Sequence, residues 1–144
     1  MLVSQILKSK SDDAVVTAPP SLLISEAAQI LAEKRIGTLV ISKDGATPLG
    51  ILSERDIVRE LGKQGSGCLT MTVDKLMTTK LITCARNDRT DEILQQMTDG
   101  RFRHMPVLDD GKLVGLISLG DVVKARLSEL AMEKVALEGM IMGH

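Results

Sequence analysis

Gly50-Ile-Leu-Ser53-Glu-Arg-Asp56-Ile-Val58 and Gly115-Leu-Ile-Ser118-Leu-Gly-Asp121-Val-Val123 carry one Gly-x-x-Ser-x-x-Asp element twice, 65 residues apart. Walking back from each, residues 36–45 align with 102–111 at an offset of 66, and one additional residue near Ala46 or Thr47 accounts for the change. Residues 25–35 match 91–101, Val15, Val16 and Thr17 match Leu81, Ile82 and Thr83, and Val3, Ile6 and Leu7 echo Val73, Leu76 and Met77. Similarity over this much of each half makes the chain a tandem repeat of one supersecondary unit, residues 1–67 and 68–127, followed by an extension over residues 128–144.

A unit of roughly 60 residues buries too little surface for comfort alone, so the two copies are expected to share a core in one pseudo-twofold body. With 18 basic and 19 acidic residues the net charge is −1, which gives no electrostatic case for a nucleic acid or an anionic membrane as partner. A bound anion must therefore be held by local design. Phe102 is the single aromatic residue, so no stacking platform for single strands exists. Cys68 and Cys84 lack metal-type spacing, and neither a secretory pattern nor a long apolar run is present, which sets a cytoplasmic, reducing compartment as the expectation. His104, a strand histidine without Cys or His partners, suits a packed or hydrogen-bonded role better than a metal site, and no metal is expected.

Each copy predicts a short strand (Val15-Val16; Leu81-Ile82), then an amphipathic helix capped by Ser25 in the first copy and by Thr90 or Asp91 in the second. Two strands follow, over residues 38–42 and 49–52, then 104–108 and 113–117. The links Lys43-Asp44-Gly45 and Asp109-Asp110-Gly111 carry hairpin-turn chemistry. A second helix starts at Ser53 or Ser118. The fold class is α/β (α+β), with a small mixed sheet and two helices per repeat. Gly62, Gly65 and Gly67 read as a flexible linker. Beyond the second copy one long helix is expected from Asp121 to about Gly139, with Val123, Leu127, Leu130, Leu137 and Met140 or Ile141 at 3–4 spacing. Pairing of two chains into a homodimer is its expected use, although Lys134 interrupts the seam of a free-standing coiled coil.

Arg35-Ile36-Gly37, the two Gly-x-x-Ser-x-x-Asp elements, and Arg101-Phe-Arg-His-Met-Pro106-Val107, each in matched context, resemble a tandem pair of cystathionine-β-synthase (CBS) domains over nearly all of residues 3–127. The resemblance implies a disc-like module whose central cleft holds an adenine nucleotide, AMP, ADP or ATP and sometimes NAD(H), as a regulatory ligand. It implies a sensor of energy or redox state that reports to a separate effector protein and has no catalytic duty. Asp56 and Asp121 would face ribose, since a carboxylate accepts two hydrogen bonds at once. Ser53, Ser118 and the free N–H groups of their helices would receive phosphate. The resemblance also sets Thr17 and Thr83 against the nucleoside, and Ile36, Gly37, Thr38, Val40 and Met105 around the base. Pro106 is expected at a sheet edge that leaves backbone atoms free for ligand.

The cations differ between copies. Arg35 and Arg101 match, but Arg55 stands where the second copy has Gly120, and the second copy supplies Arg103, His104 and Lys124 instead. Because arginine suits bidentate phosphate contacts, the two sites are expected to prefer different phosphate counts. A structural reading runs beside the functional one: Ser with an acidic residue three later is nearly a capping box, and the two roles can coexist. No nucleophile–base assembly points to an enzyme, and a ligand-independent dimerisation scaffold is the remaining alternative.

Overall fold

In the computed structural model, which describes residues 1–10 and 15–141, the elements run α1 (Val3–Ser9), β1 (Thr17–Ala18), α2 (Ile24–Lys34), β2 (Thr38–Ile41), β3 (Gly50–Ser53), α3 (Glu54–Gln64), α4 (Thr90–Gly100), β4 (His104–Asp109), β5 (Lys112–Ser118) and α5 (Leu119–Ile141). Strand β2 pairs in parallel with β1 and antiparallel with β3, and β4 pairs antiparallel with β5. The mixed α/β architecture of the sequence reading is present in both halves.

The expected first strands need correction. In the first copy the strand is Thr17–Ala18 rather than Val15-Val16. In the second, Leu81 and Ile82 lie outside any strand, and only Cys84 bridges in parallel to Val107, as Ala18 does to Ile41. Pro106 supplies the reason. Val40 donates its N–H to the Val16 carbonyl at 3.2 Å, and Pro106, 66 positions later, has no N–H to give to the matching carbonyl of Ile82. Nor is Pro106 at a free edge: it is buried, pairs with Leu116, and its carbonyl accepts the Cys84 N–H at 3.0 Å.

Helix and turn chemistry also departs in detail. Ser25 lies inside the first turn of α2, whose start is closed by the Glu26 carboxylate accepting the Leu23 N–H at 3.1 Å; α4 likewise begins at Thr90, after Arg89. Both helices end on an arginine in the left-handed region, Arg35 (φ 54°) and Arg101 (φ 55°), whose N–H groups return to the Leu31 and Met97 carbonyls. This closure satisfies a helix-end carbonyl at the cost of a conformation unusual outside glycine. Asp110 and Gly111 both take positive φ, 52° and 78°, in a tight hairpin turn. The first hairpin is longer because the Asp44 carboxylate accepts the Ala46 and Thr47 N–H groups at 2.9 and 2.8 Å and wraps the loop around itself. These bonds hold the Asp44 carboxyl down at about 2. The glycine-rich linker is ordered helix: α3 runs through Gly62, and a 3-10 segment over Gly65–Thr70 buries Cys68.

In place of one shared core the chain has two, each closed by the other repeat's leading segment. Val3, Ile6 and Leu7 of α1 pack with Ile93, Met97, Met105 and Ile117 of the second repeat. Val73, with Leu76 and Met77, packs into the first repeat against Ile24, Leu39, Ile41 and Leu52. The hydrogen bonds of the exchange repeat as faithfully as the residues. Val3 N–H donates to Asp88 O at 3.0 Å and Val73 N–H to Leu22 O at 2.8 Å; Thr90 N–H reaches Met1 O at 3.1 Å and Ile24 N–H reaches Met71 O at 2.9 Å.

The glycine that opens each motif is where the exchanged segment lands. A Cβ on Gly115 would stand 2.6 Å from Leu7 Cδ2, and one on Gly50 would stand 2.5 Å from Met77 Sδ and 2.9 Å from the Thr78 carbonyl oxygen. Helix α5 is one uninterrupted 23-residue element. It buries Val122 and Ala125, and no residue from 130 to 141 is buried; residues 142–144 of the expected extension lie outside the described residues. Gly50→Ala is expected to destabilise by about 1–3 kcal/mol, and by more than Gly115→Ala, because Thr78 meets it with backbone while Leu7 can rotate. Urea denaturation midpoints of the two variants check the order.

Candidate functional site

The exchange decides where clefts form. Ile51 and Thr78 exchange backbone hydrogen bonds at 3.0 and 2.8 Å, which lays the chain leaving Met77 along the first repeat, beside the start of α3. The resulting cavity of about 690 Å³ is bounded on one side by Gly37, Ile51 and residues 53–56, and on the other by Lys80, Leu81, Ile82 and residues 100–104. A second cavity of about 540 Å³ joins Leu116, Ser118 and Asp121 to Lys10, Val15, Val16 and residues 36–38. Each motif aspartate therefore faces the other repeat's strand entrance. Both volumes fall in the range of small-molecule sites.

Serine and aspartate form the expected capping box at each cleft. Asp56 Oδ2 accepts the Ser53 N–H at 2.9 Å and the Ser53 hydroxyl at 3.0 Å, while Ser53 Oγ accepts the Asp56 N–H at 3.3 Å. Arg59 donates to Asp56 Oδ1 at 2.8 Å. In the second cleft Asp121 Oδ2 accepts the Ser118 N–H at 2.9 Å, and Ser118 Oγ accepts the Asp121 N–H at 3.1 Å. Here the cation comes from far away in sequence: Lys10 Nζ donates to Asp121 Oδ2 at 3.0 Å and to the Leu116 carbonyl at 2.9 Å. Burial pushes the Asp121 carboxyl up, but the Ser118 N–H and the Lys10 ammonium outweigh it and hold the group below the usual carboxylate value. Capping fixes both carboxylates in orientation before any ligand arrives.

Thr38 and His104, equivalent positions of the two copies, meet at the partition between the clefts. The Thr38 hydroxyl lies 3.1 Å from His104 Nδ1 and 3.2 Å from Nε2, and the imidazole borders both cavities. Burial depresses the basicity of His104; Asp121 opposes this, Lys10 and Arg103 reinforce it, and Glu54 opposes it.

Of the sequence-predicted residues, Gly37, Ser53, Arg55, Asp56, Arg101, Arg103 and His104 line the larger cleft, and Ile36, Gly37, Thr38, His104, Ser118 and Asp121 line the smaller. Arg103 thus joins Arg55 in one cavity instead of serving the opposite one. Thr17, half-buried beneath Gly45, and the exposed Thr83 and Lys124 line neither cleft; Val40, Met105 and Pro106 are buried in the sheets. Sequence reasoning missed Lys10, Lys34 and Lys80 as lining residues. Two were within reach: Lys10 and Lys80 share the offset of 70 that relates Leu7 to Met77. Among the described residues no group of His, Cys, Asp or Glu side chains could hold a metal ion.

The CBS domain family model matches residues 3–63 and 73–128. A CBS-domain containing protein from Agrobacterium tumefaciens is similar in structure, with a TM-score of 0.82, 42% identity, and coverage of 88% of this chain and 99% of that one. A CBS domain protein from Pyrobaculum aerophilum complexed with AMP has a TM-score of 0.77 and 28% identity, covering 92% and 99% of the two chains. The CBS domain pair of protein MJ0100, in complex with 5′-methylthioadenosine and S-adenosyl-L-methionine, has a TM-score of 0.76 and 27% identity, covering 90% and 98%.

His104 makes stability depend on pH with a defined sign. The unfolded chain, with histidine near 6.5, binds a proton that folded His104 resists, so stability is lost as pH falls below 6.5 towards the lowered folded value. His104→Gln, which keeps a partner for Thr38, is expected to flatten the urea midpoint between pH 6.5 and roughly 5, above the carboxylate range. An unchanged slope would show that another group titrates there.

Proposed function

This chain belongs to the CBS-domain family, and we propose that it is a regulatory module that binds adenosyl ligands, AMP, ADP, ATP or NAD(H), in the two clefts between its repeats. Occupancy is reported to a separate effector protein through the geometry of a homodimer, in the cytoplasm. The observation that carries this reading is the placement of an oriented, capped aspartate opposite the strand entrance of the other repeat, twice. A ribose between them meets a fixed acceptor, and a base meets Ile36, Thr38, Phe102 and His104 at the entrances. Because both walls of each cleft come from different repeats, a ligand that prefers one spacing of the walls shifts the population towards it.

The reading is non-catalytic. His104 is the imidazole at the clefts; it bonds to the hydroxyl of Thr38, itself buried, and burial disfavours its protonated form. Dimer formation is supported by α5, whose Leu127, Val135, Leu137 and Ile141 are each more than half exposed along a helix that outruns the body. Both cysteines are free and buried, which suits a reducing compartment. No helix among the described residues is long and apolar enough to cross a membrane.

One observation favours a second reading, a ligand-independent scaffold: both capping boxes are complete without a ligand. Isothermal titration of AMP, ATP and NAD separates the two. Asp56→Asn and Asp121→Asn keep an acceptor for the cap and remove the charge, and each is expected to weaken binding at its cleft about 10–100-fold. If no adenosyl compound binds the unaltered protein, the scaffold reading wins. Sedimentation velocity of Leu127→Lys with Leu130→Lys tests the dimer. A shift to monomer is expected, and an unchanged coefficient would remove α5 from the interface.

A further inference from the structure

We infer that the two clefts take different classes of adenosyl ligand: the cleft at Asp56 a nucleoside polyphosphate, and the cleft at Asp121 an adenosyl compound whose 5′ tail carries no phosphate chain. This rests on the preceding reading that the clefts bind adenosyl compounds, and it goes further by assigning a tail chemistry to each.

Cations concentrate on one side. Arg55, Lys80, Arg101 and Arg103 all line the Asp56 cleft, brought there by the start of α3, the exchanged segment, the end of α4 and the entrance to β4. None of the four forms a salt bridge among the described residues, whereas Arg59 is satisfied by Asp56 at 2.8 Å. Glu54 is the one other carboxylate on the wall. With Glu54 set against them, three positive charges remain in excess around one cavity, which raises the energy of the empty protein and attracts an anion of high charge. A monophosphate brings about two negative charges, too few to match them, and each further phosphate improves the match. Three of the four are arginines, whose forks engage two phosphate oxygens at a time.

The other cleft is built differently from the same template. Gly120 stands in place of Arg55 and Lys34 in place of Gly100, so two lysines line it, and Lys10 is already held by Asp121 at 3.0 Å and the Leu116 carbonyl at 2.9 Å. A phosphate chain there would find Lys34 and would have to compete with Asp121 for Lys10. Much of the remaining wall is aliphatic, Val15, Val16, Ile36 and Leu116, which suits an uncharged tail better than a solvated one.

The test titrates ATP, 5′-methylthioadenosine and inorganic tripolyphosphate into the full chain and into the Arg55→Gln, Arg103→Gln double variant, at two salt concentrations. Both arginines are exposed, so the variant is expected to keep the wild-type melting temperature. The expected result is at least a roughly tenfold loss of ATP affinity in the variant with methylthioadenosine within about twofold. In the wild type, salt should weaken ATP and leave methylthioadenosine unmoved. Unchanged ATP affinity in the variant, parallel loss of both compounds, or binding of ATP without methylthioadenosine would each overturn the assignment. If no adenosyl compound binds but tripolyphosphate does, and does so only with both arginines present, the adenosyl reading fails while the charge assignment of the Asp56 cleft stands. If ATP and tripolyphosphate both fail, that assignment falls too.

Discussion

Leu7 against Gly115, and Met77 against Gly50, are the contacts on which the rest of this molecule depends. Each places a side chain where a Cβ would otherwise stand, and each is made by the leading segment of one repeat on the hairpin of the other. Without it a repeat lacks a wall of its core: Val3, Ile6 and Leu7 are all buried in the second repeat and Val73 in the first. The same exchange carries Lys80 and Leu81 past one aspartate and Lys10 past the other. Fold and clefts are thus consequences of one packing decision.

The motif serine and aspartate meet a structural demand at the same atoms that border the clefts. A capping box satisfies the helix N-terminus, and in doing so it leaves the carboxylate pointing along a cleft wall with little freedom to move. The repeats then diverge in what compensates that carboxylate. In the first it is Arg59, one turn along the same helix; in the second it is Lys10, more than a hundred residues away. Between them His104, bonded to Thr38, borders both clefts at once, so the chemical environment of one cavity is never wholly separate from the other.

Local chemistry was legible in the sequence. The repeat offsets, the Asp110-Gly111 turn, the serine caps of α3 and α5 and the long terminal helix all follow from residue types acting on near neighbours. The exchange was not legible, because Val3, Ile6 and Leu7 show the same apolar spacing whichever hairpin they cover. The same exchange sets the place of Arg103: it belongs to the second copy, yet it lines the cleft of Asp56 because that aspartate faces the entrance to β4. Pro106 was read as an edge residue from its missing N–H; the missing donor was the right clue, but its effect falls on Ile82, which loses a partner, while Pro106 itself stays buried. The flexible linker failed for a related reason: glycines at 62, 65 and 67 permit a loop, but the burial of Cys68 draws that segment into a helical turn.

A single copy of this repeat, on its own chain, would have an apolar leading segment with no seat and a glycine groove with no occupant. Two such chains satisfy both needs only by trading segments, which is the geometry of a domain-swapped dimer. The present chain holds that dimer's interface within one polypeptide. Fusion therefore changes the kinetics of assembly as well as its symmetry: an encounter that would depend on protein concentration becomes a loop closure with a fixed effective concentration, and once closed inside one chain, the two halves are free to evolve apart without losing each other.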